Sequence, residues 1–254
     1  MSLSPARDVR LAALRAEVQA IEHAGRRGDA GALPFGINEI DGRLAEGGLA
    51  LAALHEAAGA SSGLWDDAAA TLFVTGIAAR LPGTVLWTLT RRDLFAPGLA
   101  CAGLNADRVL YAEARSDEEV LAVMEEGLRH GGLAAVVGEV AKASMAATRR
   151  LQLAAEEGGT MALLHRRHKK SGSDPLAETS AAMTRWRLAC APSAPLPVEG
   201  VGRACWRVTL ARQRGGDGHE WILEECDATG RLALPAPARD RPAAGNRGAR
   251  RQAA

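Results

Sequence analysis

The chain has almost no lysine: of its 31 basic residues only Lys142, Lys169 and Lys170 are lysines, and the rest are arginine. None of the three follows a glycine, which removes the G-K-[ST] end of a phosphate loop anywhere in the sequence. A surplus of either charge is missing too. Thirty acidic groups nearly balance the basic ones, for a net charge of +1. That excludes a protein that coats nucleic acid by bulk charge, while leaving room for a local basic patch. The four cysteines, at 101, 190, 205 and 226, form no C-x-x-C and no short Cys/His spacing. Neither a metal site nor a disulfide framework is suggested, and a reducing, cytoplasmic location is expected. Long apolar runs are absent as well. The longest stretch free of Asp, Glu, Lys and Arg is the 13 residues from Leu94 to Ala106, against about 20 for a membrane-spanning helix. Charges in MSLSPARDVRLAAL interrupt what would be the apolar part of a signal peptide. No membrane is expected among the partners.

What is present is 254 residues, 47% apolar, including 53 alanines. This is enough for one sizeable α/β domain with short appendages, its connecting elements tilted towards helix. Residues 1–32 read as an amphipathic helix and linker: Ser4-Pro5 starts it, and Leu11, Leu14, Val18 and Ile21 form a narrow apolar stripe. The stripe either packs on its own domain or docks a partner. Residues 33–235 read as the core. Buried strands are expected at 49–54, 84–89, 109–111, 133–137 and 161–164, with helices at 68–80, 94–102, 117–130 and 144–157. Strands alternating with helices imply a mostly parallel sheet covered on both faces. Three extended runs follow, 183–190, 205–213 and 220–224. The last two flank Arg214-Gly-Gly-Asp-Gly218, a hairpin signal, so an antiparallel C-terminal extension is expected. Residues 236–254, rich in Arg, Pro and Ala, are expected to be a disordered tail, either binding a partner or DNA or merely solubilising.

Several strings carry a resemblance. Gly36-Ile37-Asn38-Glu39-Ile40-Asp41, then Glu46-Gly47-Gly48-Leu49, look like the stretch upstream of a RecA-type phosphate loop. Leu54-His55-Glu56-Ala57-Ala58-Gly59 leads to Ser61-Ser62-Gly63, where that loop would lie. LPFG at Leu33, LHE at Leu54, VLW at Val85, TRRDLFAP at Thr90 and MEEGLRHGGLAAVVGEV at Met124 are similar to the recurrent strings of the ImuA family, over about residues 33–235. The resemblance implies a RecA-like core and an accessory role in SOS-induced translesion DNA synthesis. The implied partner is a polymerase-like protein of the ImuB type, working with an error-prone polymerase. RecA and single-stranded DNA are further partner candidates.

The residues themselves argue against a working nucleotide site. In the degenerate loop Gly59, Ser61, Ser62, Gly63, the two glycines are one residue too close, and Leu64-Trp65-Asp66-Asp67 stands where Lys and Ser/Thr belong. The strand that should end in a metal-binding Asp continues as Gly138-Glu139, and TVLWTL is followed by Thr90-Arg91-Arg92 rather than a catalytic Glu. Losing the Lys and Asp contacts should cost about 3–6 kcal/mol of nucleotide binding, two to four orders of magnitude in affinity. No cofactor and no catalysis are expected. Glu139 is either a residual metal ligand or an ordinary strand-end carboxylate.

Two rival functions are an active NTPase with an unorthodox site and an SOS cell-division inhibitor. A third is a hydrolase. Gly59-Ala-Ser61-Ser-Gly63 fits G-x-S-x-G, and His219 with Asp107 or Asp174 would complete a triad, though no oxyanion segment precedes the loop. For DNA, Arg166, Arg167, Lys169 and Lys170 sit where the RecA resemblance implies a DNA-contacting loop. Four phosphate contacts would give a salt slope near about −3 on a single strand; the alternative is a solvated strand exit. Trp186 and Trp206 are either stacking faces for bases or sheet core.

Overall fold

A computed structural model of the chain describes residues 31–193, 200 and 202–235. The N-terminal stripe Leu11, Leu14, Val18 and Ile21 and the Arg-rich tail lie outside these residues. A short ribbon pairs β1 (Ala32–Leu33) with β2 (Leu49–Ala50) around the four-residue helix α1 (Asn38–Asp41). The main sheet comprises β3 (Leu54–Gly59), β4 (Val85–Leu89), β5 (Val109–Glu113), β6 (Ala135–Val140), β7 (Met161–Arg166), β8 (Thr184–Ala191), β9 (Cys205–Gln213) and β10 (His219–Glu224). Its order is β10-β9-β8-β3-β7-β6-β4-β5. Strands β3 to β8 are all parallel, and β9 and β10 add antiparallel pairs at one end. The chain is therefore α/β with a mostly parallel sheet and an antiparallel C-terminal extension. The first of the three late runs, β8, belongs to the parallel part.

Helices α2 (Leu64–Ala79) and α3 (Ala96–Cys101) cover the front face. Helices α4 (Asp117–His130) and α5 (Met145–Gly158) cover the back. The Ser116 and Ser144 hydroxyls cap α4 and α5 by accepting amide bonds three residues on, and α4 stops at left-handed Gly131 (φ 68°). In the front core Phe35 and Phe73 pack on Trp186, which also meets Trp221. Trp186 and Trp206 are buried, so they are core rather than stacking faces.

The sequence reading misplaces three elements, among them the strand expected at 133–137, which spans Ala135–Val140. The strand expected at 49–54 lies at 54–59, because Leu49–Ala50 pairs with β1 and the chain then turns. Polar His55 and Glu56 consequently sit inside a fully buried strand. The helix expected from Ala68 starts four residues earlier, directly after Gly63, which carries Trp65, Asp66 and Asp67 into its first turn.

Candidate functional site

Every parallel strand ends at the same edge of the sheet, and in open α/β sheets this edge is where ligands bind. Here it is built from the loop after β3, the first turn of α2, the segment after β4, the end of β6 and the exit of β7. Gly59 permits the construction. A Cβ there would stand 2.9 Å from the Asp66 carbonyl carbon, so only glycine lets α2 begin so close to β3.

The crevice is filled by the protein's own charges. The Arg167 guanidinium donates to Glu139 (2.6 Å) and to both carboxylate oxygens of Asp93 (2.9 and 3.1 Å), and it pairs with Asp67 at 2.8 Å. Glu139 also accepts the Trp87 indole N–H at 2.8 Å. His165 lies 3.4 Å from Asp67. Burial raises the Asp67 carboxyl, but the neighbouring His165, Arg167 and His168 outweigh it and hold the group below its ordinary value. For Arg167 burial lowers the pKa, and the three carboxylates, Glu139 foremost, more than reverse that. His168 spans the same edge, its ring nitrogens 2.9 Å from the Gly59 carbonyl and 2.7 Å from that of Ser173.

The loop is closed in the same manner. The Ser61 hydroxyl donates to Asp66 (2.6 Å) and accepts the Gly63 amide (3.2 Å), while Asp66 also accepts the Cys190 amide at 2.9 Å. The Ala60 amide bonds the Leu188 carbonyl at 2.7 Å. A triphosphate needs free loop amides and an unpaired cation. Here Ala60 and Gly63 have spent their amides, and the nearest cation is held by three carboxylates. These residues do not fit Mg-nucleotide. Glu139 is the penultimate residue of β6, and its carboxylate is satisfied by Trp87 and Arg167.

The basic run divides. Arg166 is 1% exposed and points to the back face, where it donates to Glu56 at 3.1 Å; Arg185 donates to the same carboxylate at 2.7 Å and Ser180 at 2.9 Å. With Arg167 committed to the crevice, Lys169 and Lys170 are the members of the run left in solvent. Neither has an ion pair among the described residues. Two ammonium groups bring the expected salt slope on single-stranded DNA down to about −1.4.

The triad does not assemble. Ser61 follows the end of β3, whereas His219 begins β10, three strands or about 14 Å across the sheet and in register with Ala57 through Leu210 and Trp186. Asp107 precedes β5 at the opposite end of the parallel strands, and Asp174 pairs with Arg187 at 3.0 Å.

Sequence reasoning missed the apolar rim. Leu64 and Trp65 are 75% and 76% exposed at the start of α2, and Phe95 is 70% exposed beside α3. Arg167 joins their two segments by holding Asp67 and Asp93 together. The available signal was the pair of large apolar residues directly after the glycine loop, before the helix turns uniformly apolar.

Two relatives, each called Protein ImuA and coming from two strains of Caulobacter vibrioides, are 43% identical to this chain over 216 residues. The match covers 81% of this chain and 88% of each relative. No family model matches the chain. Among solved structures, SulA from Pseudomonas aeruginosa is similar over 45% of this chain and 97% of that protein, at 27% identity and a TM-score of 0.38.

Proposed function

The chain belongs to the ImuA family, and from that premise we propose that it is a non-catalytic adaptor in SOS-induced, error-prone translesion synthesis. The family is part of the DNA-damage-induced mutagenesis system, and this chain with it. Within that system the RecA-like sheet acts as a rigid body. It links a polymerase-like partner of the ImuB type to DNA or to RecA.

The observation that carries the non-catalytic part is the closed crevice: Arg167 with Asp67, Asp93 and Glu139 where a nucleotide's metal and phosphates would need to bind. The exposed rim of Leu64, Trp65 and Phe95 supports a protein contact on the same edge, since clustered large apolar groups in solvent mark interaction surfaces. The N-terminal stripe Leu11, Leu14, Val18 and Ile21 is the second surface for such a contact, and Lys169 and Lys170 are the groups that would reach DNA.

The test is a calorimetric titration of the full chain with Mg-ATP, at concentrations able to detect sub-millimolar binding. No heat is expected. A stoichiometric isotherm would overturn the non-catalytic reading and make the protein a nucleotide-responsive one.

A further inference from the structure

The two edges of the main sheet are finished differently. At one edge, β10 carries His219, Glu220 and Glu224, and its last residue is bridged by Ala233. At the other, β5 reads VLYAE: one charge, no proline and no bulge, with Leu110 57% and Tyr111 46% exposed. Natural proteins normally guard such an edge against pairing.

The ladder parity tells which groups of β5 are open. The Ala114 amide donates to the Leu89 carbonyl at 2.9 Å, and Leu89 lies opposite Glu113. In a parallel pair this sets residues 110, 112 and 114 towards β4. Residues 109, 111 and 113 therefore turn their backbone groups outwards. The Val109 amide folds back to Ala106. The Val109 carbonyl and both backbone groups of Tyr111 and Glu113 have no ladder partner among the described residues.

We propose that β5 pairs with β5 of a second copy of this chain, antiparallel about a two-fold axis through Tyr111. Only outward-facing residues can form the hydrogen-bonded pairs, so odd-numbered positions must face odd-numbered ones. Tyr111 opposite Tyr111 is the register that uses all three, with the Val109 carbonyl accepting the Glu113 amide of the second copy on either side. That register also brings Asp107, in the 3-10 turn (Ala106–Arg108) just before β5, to the same end of the pairing as Arg115 of the second copy, just after its β5, twice. Neither residue has an ion partner among the described residues. A shift of two residues leaves an outward position unpaired and, in one direction, sets Asp107 against Glu113. Backbone parity and charge thus select the same self-complementary arrangement, as an isologous contact requires. The surface is small, at the low end for specific interfaces, so the dimer is weak and concentration-dependent. It does not rest on the adaptor reading, but would give an adaptor two crevice edges per particle.

The experiment is sedimentation equilibrium of the full chain up to about 100 μM, where a contact of this size becomes populated. A monomer–dimer equilibrium is expected. Asp107→Arg should raise the dissociation constant about tenfold by turning two attractions into two repulsions. Adding Arg115→Asp should restore it. Tyr111→Pro should abolish the dimer, because it removes an outward amide that does not serve the β4 ladder. Circular dichroism and thermal midpoints of the charge variants should match the wild type, and their swap keeps the test decisive if the proline variant unfolds. A chain that stays monomeric throughout, including one whose β5 instead accepts another protein's strand, overturns the proposal. So does a dimer indifferent to the charge variants, or one not restored by the swap.

Discussion

Arg166 and Arg167 are consecutive residues, and strand alternation sends their guanidinium groups to opposite faces of the sheet. Behind it, Arg166 and Arg185 close on Glu56, all three at most 6% exposed, with Ser180 as a further donor. In front, Arg167 closes on Asp67, Asp93 and Glu139 in a crevice that water reaches, the Arg167 and Asp67 side chains being 17% exposed. The charge balance also differs: behind, two cations share the buried Glu56, with the exposed Glu178 carboxylate 3.7 Å from Arg166, whereas in front three anions surround one cation. A sealed cluster can act only on the fold, because nothing enters it. An open cluster at the ligand-binding edge of a parallel sheet decides what that edge can hold. The same residue type, one position apart, therefore serves stability on one face and sets the charge of the crevice on the other.

The largest effect should come from the sealed cluster. Glu56→Gln leaves two arginines facing each other out of water, and breaking such a buried pair costs about 3–5 kcal/mol. The Arg166 Nε and one Arg185 terminal nitrogen already lack hydrogen-bond partners, and the other carboxylate nearby, Glu178, is exposed and 3.7 Å from Arg166. Urea unfolding should show a loss of that size that is almost independent of salt. A loss below 1 kcal/mol would mean that water enters the cluster and would remove the contrast between the faces.

Much of the fold was legible because the apolar runs of β4, β6 and β7, and the capped stripe of α4, have one obvious reading. The first strand was not, since LHEAAG places His and Glu where a hydrophobic rule expects none. Their burial depends on Arg166, Arg185 and Thr184, which are more than 100 residues away in sequence and supplied by neighbouring strands. The missing lysine was legible at once, as a glycine loop without the G-K-[ST] end of a phosphate loop. What stands in its place was hidden, because runs like RRHKK look the same whether their arginines end in solvent or in a carboxylate cage. RRHKK gave no hint that it splits between two faces and a loop.

His55 adjoins Glu56 and points the other way, so it compares burial with a neutral partner against burial with charges. Its ring touches Thr184 Oγ1 at 2.7 Å and the Ala50 carbonyl at 2.9 Å. Burial drives its pKa from 6.5 down to about 4, against a smaller opposing effect of the Ala50 bond. The native state thus keeps this imidazole neutral where the unfolded chain binds a proton. Stability is full above the unfolded value of 6.5 and falls as the pH drops towards 4. From pH 7.5 to 5 the loss assignable to His55 is about 2 kcal/mol. Denaturant titrations of wild type and His55→Gln across that range should differ in slope by this amount. Parallel slopes would mean that the imidazole is protonated in the native state.

The smallest effect separates the two clusters most sharply. Arg167→Gln leaves Asp67, Asp93 and Glu139 without their shared cation, but water and the Trp87 indole remain to satisfy them. The cost in low salt should be about 1–2 kcal/mol, above an exposed pair and below a sealed one. Repulsion between Asp67 and Asp93, which water reaches, is screened at 1 M salt, where the Debye length is about 3 Å, so part of that cost should disappear there. Acid should reveal the same difference. His165 first, and Arg167 after it, hold Asp67 below its ordinary value, so its contribution is present above the ordinary carboxylate range and lost as pH falls through the lowered value. Without Arg167 that loss should begin at higher pH. Unfolding free energies in low and high salt, with an acid titration of each protein, measure both. A salt-independent cost as large as that of Glu56→Gln would show that the front cluster is as sealed as the back one. The crevice would then be part of the core and unavailable to any ligand or partner.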